Sequence, residues 1–205
     1  AGQVNGTSGY EEAAAQGIYA GINAALWLKG EAPLILTRAD AYLGVMVDDL
    51  TTKGVDEPYR MMTSRAEYRL NLRQDNADLR LTERAYKAGL ASRARYERML
   101  KKRENAEKAV ALIRELRLDA PLRQPEARLR DLAAGTELEK FPPDALEQAE
   151  IMIKYEGYLA RQQSQIDRFN RAEQLLMPEG LDYLSVSALR IEARQKLNAQ
   201  RPRSL

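Results

Sequence analysis

The chain has 205 residues, of which 44% are hydrophobic, 30% charged and 6% aromatic. It contains no cysteine and no histidine. Its own residues therefore exclude disulfides, thiolate or imidazole metal sites, cysteine nucleophiles and Ser-His-Asp triads. No apolar run approaches the roughly 18 residues of a membrane span, so we expect no membrane contact. This composition is typical of a globular, mainly helical protein.

The net charge of +2 is unevenly distributed along the chain. Residues 1–59 carry a net charge of −5, residues 60–103 carry +8, and residues 104–205 carry −1. A basic block of this kind is what a polyanionic partner such as a nucleic acid requires. A charged surface in contact only with water is the alternative interpretation.

The first predicted element is a loop of small residues at 2–9, followed by a helix over 9–29 that Gly30 ends. Such a loop leaves backbone N–H groups at the helix N-terminus, where they can bind an anion. A plain capped turn is the competing interpretation. Gly17 and Gly21 each lower helix stability, which predicts close packing against another element.

Further helices are predicted from apolar spacing and from turn residues. Their ranges are 39–50, 82–89 with Thr82 as its cap, 93–117 opened by Ser92, 126–133, 144–176 and 187–199. Imperfect alternation near 59–73 leaves open one small sheet. The predicted fold class is therefore mainly α, a helical bundle. We divide the chain into residues 1–37, a basic linking segment at 38–91 and a helical domain at 92–205.

The segment 57–80 holds the densest group of candidate functional residues. Its five arginines are Arg60, Arg65, Arg69, Arg73 and Arg80. Arginine binds phosphate through a fork of donors, and the interleaved tyrosines can stack on unpaired RNA bases. Internal ion pairs with Glu67, Asp75 and Asp78 are the alternative. Asp48-Asp49 and Asp56-Glu57 lie beside turns, which such residues favour, so we predict caps and solvated turns there and no catalytic residue or metal ligand. Metal binding or acid–base chemistry at these pairs is the alternative.

Several motifs closely resemble the MnmG (GidA) family. They are GQVNGTSGYEEAAAQG at 2–17, DDLTTKG at 48–54, EPYRM at 57–61, TSRAEYRL at 63–70, RQDNADLRLT at 73–82 and IKYEGY at 153–158. The motifs follow the family's order and span nearly the whole chain. The resemblance implies that residues 1–37 include the last helix of an FAD-binding domain.

The resemblance also implies an activity. Proteins of this family are FAD-dependent tRNA-modifying enzymes that act with the GTPase MnmE on carbon five of the wobble uridine. They use NADH and methylene-tetrahydrofolate, form homodimers and are cytoplasmic. Their dinucleotide fold and catalytic cysteines lie in an N-terminal part that this sequence does not contain. We therefore expect the C-terminal portion of such an enzyme, inactive by itself.

The resemblance carries over to individual residues. Gln3 matches a glutamine that contacts FAD, and Asn5, Gly6 and Thr7 lie at the helix N-terminus that faces the flavin. Arg60, Arg69 and Arg73 match arginines assigned to tRNA, whereas Arg65 and Arg80 rest on the charge argument alone. More than fifty residues separate the loop from these arginines, which predicts two separate elements. The alternative function is a helical protein–protein interaction module with no RNA role.

Overall fold

A computed structural model describes residues 1–204 and confirms the mainly helical fold class, with helical turns over more than half of these residues. The chain divides into two compact units, residues 1–159 and residues 160–205. The division falls inside a helix at Glu156–Gln174. No helix in the described part is long and apolar enough to cross a membrane.

In the N-terminal part of the first unit, loops connect one long helix with several short ones. A 3₁₀ turn at Gly2–Asn5 precedes α1 (Tyr10–Leu28), and α2 (Tyr42–Asp48) runs into a π-helical turn at Asp49–Lys53. The small sheet left open near 59–73 does not form among the described residues. A 3₁₀ turn occupies Thr63–Arg65, and Tyr59 forms a single parallel bridge with Thr7 in the first loop.

Two glycines of α1 do not pack as the sequence predicted. A Cβ atom at Gly17 or Gly21 would meet no described atom within 4 Å. On the same helix, Trp27 and Leu28 are 78% and 77% exposed. The close packing expected at these glycines is therefore not provided by residues 1–204.

Two helices in the middle of the chain pack against each other. α3 (Ala77–Lys87) begins five residues before Thr82, which is buried inside the helix instead of capping it. α4 (Arg93–Glu115) begins as predicted, since the Ser92 side chain accepts a hydrogen bond from the Arg95 backbone N–H. Lys102 Nζ of α4 donates to the Asp78 carboxylate at 3.0 Å, which fixes α4 against the first turn of α3.

The helical core of this unit lies between α4 and α7 (Pro143–Lys154). Two one-turn helices, α5 (Asp119–Leu122) and α6 (Leu129–Leu132), and a 3₁₀ turn at Glu137–Lys140 close its sides. The buried cluster consists of Ala109, Val110, Ile113, Leu122, Leu129, Ala133, Leu138, Ala149 and Ile153. Of the predicted helix 126–133, only α6 is helical, and Ala133 is its C-cap.

The single helix predicted over 144–176 is wrong, because Tyr155 leaves helical geometry at φ −104° and ψ 12°. It separates α7 from α8 (Glu156–Gln174), so Gly157 lies at a helix start and not in an interior. In the second unit, α9 (Ile191–Gln200) begins four residues later than predicted and packs on a 3₁₀ turn at Tyr183–Ser185. Leu176 and Ser204 form an antiparallel bridge there.

Candidate cofactor loop and nucleic-acid interface

The loop at residues 2–9 is shaped by one buried glutamine of α1. Gln16 Oε1 accepts hydrogen bonds from the Gly2 N–H at 2.6 Å and from Asn5 Nδ2 at 3.3 Å. Gln16 Nε2 donates to Thr7 Oγ1 at 3.2 Å. Sequence analysis missed Gln16, although one signal was present. Glu12 and Gln16 lie four residues apart, which puts two polar side chains on one face of an alanine-rich helix.

This loop lines a cleft of about 610 Å³. Gln3, Gly6 and Thr7 are among its lining residues, whereas Asn5 is not. Thr7 is almost fully buried, and its hydroxyl is already bound to Gln16. The opposite wall is formed by residues 55–58, which include Asp56 and Glu57. Gly9, the N-cap of α1, provides no side-chain cap, and it lines the cleft together with Tyr10 and Ala13.

The structure corrects the expectation that the loop at residues 2–9 and the segment 57–80, here called the arginine segment, are separate elements. The Tyr59 N–H donates to the Gly6 carbonyl at 2.7 Å, and the Ser8 N–H donates to the Tyr59 carbonyl at 3.0 Å. The Met61 N–H donates to Glu12 Oε1 at 2.7 Å. The segment 59–61 is therefore fixed directly to the loop and to α1. Separation along the sequence carried no information about this pairing.

Glu12 is buried at the junction of these two segments. The hydrogen bond from Met61 holds the pKa of its carboxyl below the usual range, against the effect of burial, and Arg60 lowers it further. Glu12 Oε2 has no hydrogen-bond partner among the described residues. It lies over Gly9, where an added Cβ would overlap both this oxygen and Arg60 Nη1. Only glycine fits at this position without displacing both side chains.

Arg38 is the second functional residue that sequence analysis missed. Its buried guanidinium donates to Asp49 at 2.7 Å, to Asp48 at 2.8 Å and to Glu67 at 2.7 Å. It also donates to the Arg65 carbonyl at 3.1 Å. Burial favours the neutral form, but these carboxylates outweigh it and raise the pKa of Arg38. Arg38 thereby fixes the segment 65–67 to α2 and to the π-helical turn.

Tyr59 extends this network back towards the loop. Its hydroxyl donates to Asp49 at 2.9 Å, and burial together with that hydrogen bond raises the pKa of the Tyr59 phenol. Burial alone would raise the pKa of Asp49, but hydrogen bonds from Lys53, Arg38 and Tyr59 lower it. A continuous buried network therefore connects the cofactor loop with the arginine segment.

Three of the five predicted arginines lie on or near the surface of this segment. Arg60 is exposed, with Glu11 and Glu12 each 3.8 Å away. Arg65 is half-buried, with its guanidinium 4.4 Å from the centre of the Tyr59 ring. Arg69 is exposed and has no hydrogen bond or ion pair with residues 1–204. These side chains are available to a partner to different degrees, and Arg69 is the most available.

The other two arginines bind within the protein. Arg73 Nε donates to both carboxylate oxygens of Asp75 at 3.1 Å, and Gln148 of α7 donates to the same carboxylate at 2.8 Å. Arg80 donates to Asn76 Oδ1 at 2.9 Å, to the Arg73 carbonyl at 3.1 Å and to the Asp40 carbonyl. Internal pairing therefore holds for Arg73 with Asp75.

Glu67 pairs with Arg38, and Asp78 pairs with Lys102. Neither cation is among the five predicted arginines. Asp48 and Asp49 are likewise bound to Arg38, so this acidic pair serves an internal ion-pair network. No group of three or more acidic side chains suited to a metal ion occurs among residues 1–204.

Comparison with known families matches three parts of the chain. Residues 1–32 match the family described as glucose inhibited division protein A. Residues 93–163 match the tRNA modifying enzyme MnmG/GidA C-terminal helical domain. Residues 165–205 match the MnmG/GidA C-terminal helical bundle.

Similar proteins and structures cover the whole chain. The tRNA uridine 5-carboxymethylaminomethyl modification enzyme MnmG of Alkaliphilus metalliredigens (strain QYMF) is 49% identical over 229 residues, which include 100% of this chain and 36% of that protein. The corresponding enzyme of Heliobacterium modesticaldum (strain ATCC 51547 / Ice1) is 49% identical, with 100% and 37% covered. Aquifex aeolicus GidA in its form II crystal matches with a TM-score of 0.78 and 38% identity, over 100% of this chain and 36% of that one. The chain thus spans about a third of the length of its relatives.

Proposed function

We propose that this chain, which belongs to the MnmG/GidA family and corresponds to its C-terminal region, supplies tRNA contacts and one wall of the flavin site of a tRNA-modifying enzyme. The proposed tRNA contacts rest on the structure of the segment 59–69. A buried network holds its backbone, while Arg60 and Arg69 remain exposed. Arginines on a fixed backbone suit phosphate binding, because little ordering is required when the partner binds.

The residues of the loop fit one edge of a flavin. Gln3 offers an exposed amide in the cleft, and the N-terminus of α1 lines the same cleft. The helix dipole at that end favours negative charge of the kind that a reduced flavin carries. FAD, when bound, would supply the redox chemistry of the enzyme. Gln16 and Glu12 would hold the loop in the shape that presents these groups.

The chain alone should not retain FAD. It provides a loop and one helix end at an open cleft, and α1 leaves Trp27 and Leu28 exposed where a further domain could cover them. The absorbance spectrum of the purified chain checks this, and the expected result is no flavin band. A stoichiometric band would contradict this assignment of a partial site.

The RNA assignment is tested by the salt dependence of tRNA binding. Fluorescence anisotropy with labelled tRNA gives the affinity of the chain at several salt concentrations. Arg69→Ala should weaken binding and flatten the slope of log affinity against log salt by about one unit. The control is Arg130→Ala, an exposed arginine of α6 that pairs with the neighbouring Asp131 at 3.4 Å. Equal slopes for both variants would refute the role of Arg69.

Other features of the family are part of the proposal. They are modification of carbon five of the wobble uridine with MnmE, the co-substrates NADH and methylene-tetrahydrofolate, and a homodimer.

A helical interaction module without an RNA role remains the alternative. One observation favours it, a groove of about 1340 Å³ beside α6 and α7 that includes Phe141, Tyr155 and Tyr158. A module of this kind would bind tRNA weakly or not at all at every salt concentration.

A further inference from the structure

Most cations of the basic block 60–103 are bound within the protein. Outside the five arginines discussed above, Arg84 pairs with Asp40, Lys87 with Glu83, Arg93 with Glu97, Lys102 with Asp78 and Arg103 with Glu83. Three cations of α4 differ from these. Arg95, Arg98 and Lys101 are exposed, and their side chains form no hydrogen bond or ion pair with residues 1–204.

These three residues follow one another at intervals of three, so they form one ridge along α4. Each interval advances about 4.5 Å along the helix axis. Glu104 comes next at the same interval, but Lys108 binds its carboxylate at 2.6 Å. The ridge therefore has a net charge of +3 and ends at a carboxylate that is already neutralised.

We propose that this ridge binds the phosphate backbone of an RNA strand. The spacing of its charges is comparable with that of phosphates along one nucleic-acid strand, about 3.4 Å of axis per charge. An aromatic stack lies on a different side of α4, because Tyr96 is rotated by about 160° from Arg98 around the helix axis. The rings of Tyr86 and Tyr96 are 4.5 Å apart and almost parallel, and Tyr86 remains exposed. The stack therefore does not contribute to the ridge, and tRNA, the polyanion that the proposed function supplies, is the partner to which this proposal commits.

This inference rests on the proposed function and extends it from the segment 59–69 to a second surface. Sequence analysis did not select these residues, because in sequence they resemble the paired cations around them. They differ from those cations because their side chains form no hydrogen bond or ion pair within the described structure.

The experiment compares two triple variants of α4 in the full chain. The test variant is Arg95→Gln/Arg98→Gln/Lys101→Gln, which keeps helix propensity and removes the ridge charges. The matched control is Arg93→Gln/Arg103→Gln/Arg114→Gln, in which each cation is ion-paired with Glu97, Glu83 or Glu156. Both variants lose three positive charges from the same helix. Labelled tRNA is the probe, and the melting temperature of each sample is recorded.

The test variant should flatten the slope of log affinity against log salt by about 2, since each phosphate contact contributes about 0.7 to 0.9. Its melting temperature should not fall, because the removed groups form no hydrogen bond or ion pair within residues 1–204. Equal slopes for the test and control variants would show that the ridge is not a binding surface. This includes the result in which both slopes flatten equally because net charge has been lost. If Arg69→Ala still flattens the slope in that case, the proposed function stands without the ridge. Salt-independent binding by the unmodified chain would overturn both.

Discussion

The polar region of residues 2–76 and the helical region of residues 93–159 are stabilised in different ways. In the polar region, buried Arg38, Glu12 and Gln16 connect loops through hydrogen bonds and ion pairs. In the helical region, a cluster of aliphatic side chains lies between α4 and α7. Directional hydrogen bonds fix the positions of individual site residues, whereas apolar burial supplies free energy without specifying direction. The region that positions the candidate site should therefore be the more sensitive to pH.

The largest expected effect is a cavity in the helical region. Ile113 is completely buried in the aliphatic cluster. Ile113→Ala should lower the free energy of unfolding by about 2–5 kcal/mol, because it removes buried methyl groups and leaves a cavity. Urea denaturation followed by circular dichroism measures the change. Leu100→Ala on the same helix is the control, because Leu100 is exposed and its loss should cost less than about 1 kcal/mol.

The next effect is loss of the buried cation in the polar region. Arg38→Met leaves the buried Asp49 carboxylate without one of its two counter-charges and should cost about 3 kcal/mol. Amide hydrogen exchange should accelerate at residues 59–67, because Arg38 binds the Arg65 carbonyl directly and reaches Tyr59 through Asp49. Arg38→Lys should restore only part of the stability, since one ammonium group cannot reproduce the forked contacts. Unchanged exchange at residues 59–67 in Arg38→Met would show that Arg38 does not position this segment.

The polar region should also be sensitive to acid. The pKa of Asp49 is lowered in the folded chain, so its stabilising contribution is complete above its unfolded pKa of about 3.9. That contribution is lost as the pH falls through the lower, folded value. Asp49→Asn should be less stable than the unmodified chain at pH 7 and should lose less stability between pH 7 and about pH 3. Parallel stability curves against pH would contradict this account.

The smallest effect is expected at the cofactor loop. Gln16→Leu removes the hydrogen bonds to Gly2, Asn5 and Thr7 and leaves their polar groups unsatisfied. The cost should be about 1 kcal/mol, with faster hydrogen exchange confined to residues 2–7. The control is Gln163→Leu in α8, because the exposed amide of Gln163 donates to Asp167 on the same helix and lies outside the loop. Equal exchange of the loop in both variants would remove Gln16 from its positioning role.

Sequence patterns predicted the helices well where one apolar stripe dominates. The start of α4 follows from Ser92, and the cluster around Ile113 follows from its three- and four-residue spacing. Local patterns failed where a tertiary contact decides the backbone. The early start of α3 before Thr82 is an example, because Asp78 in its first turn binds Lys102 of α4.

The candidate site was only partly predictable for the same reason. The loop at 2–9 and the arginines were identified as local motifs. Their pairing through Tyr59, and the buried roles of Arg38 and Gln16, depend on residues distant in sequence. One sequence cannot indicate which arginine has an acidic partner after folding, so exposed Arg69 and ion-paired Arg73 appeared equivalent.

The most direct test of the account compares Arg69→Ala with Arg73→Ala in the same chain, by tRNA affinity against salt and by melting temperature. Arg69→Ala should flatten the salt slope by about one unit at an unchanged melting temperature. Arg73→Ala should lower the melting temperature, because Asp75 loses its ion pair, and should leave the slope of the folded protein unchanged. A lower melting temperature with an unchanged slope for Arg69→Ala would contradict the central claim that exposed arginines on a fixed backbone bind tRNA.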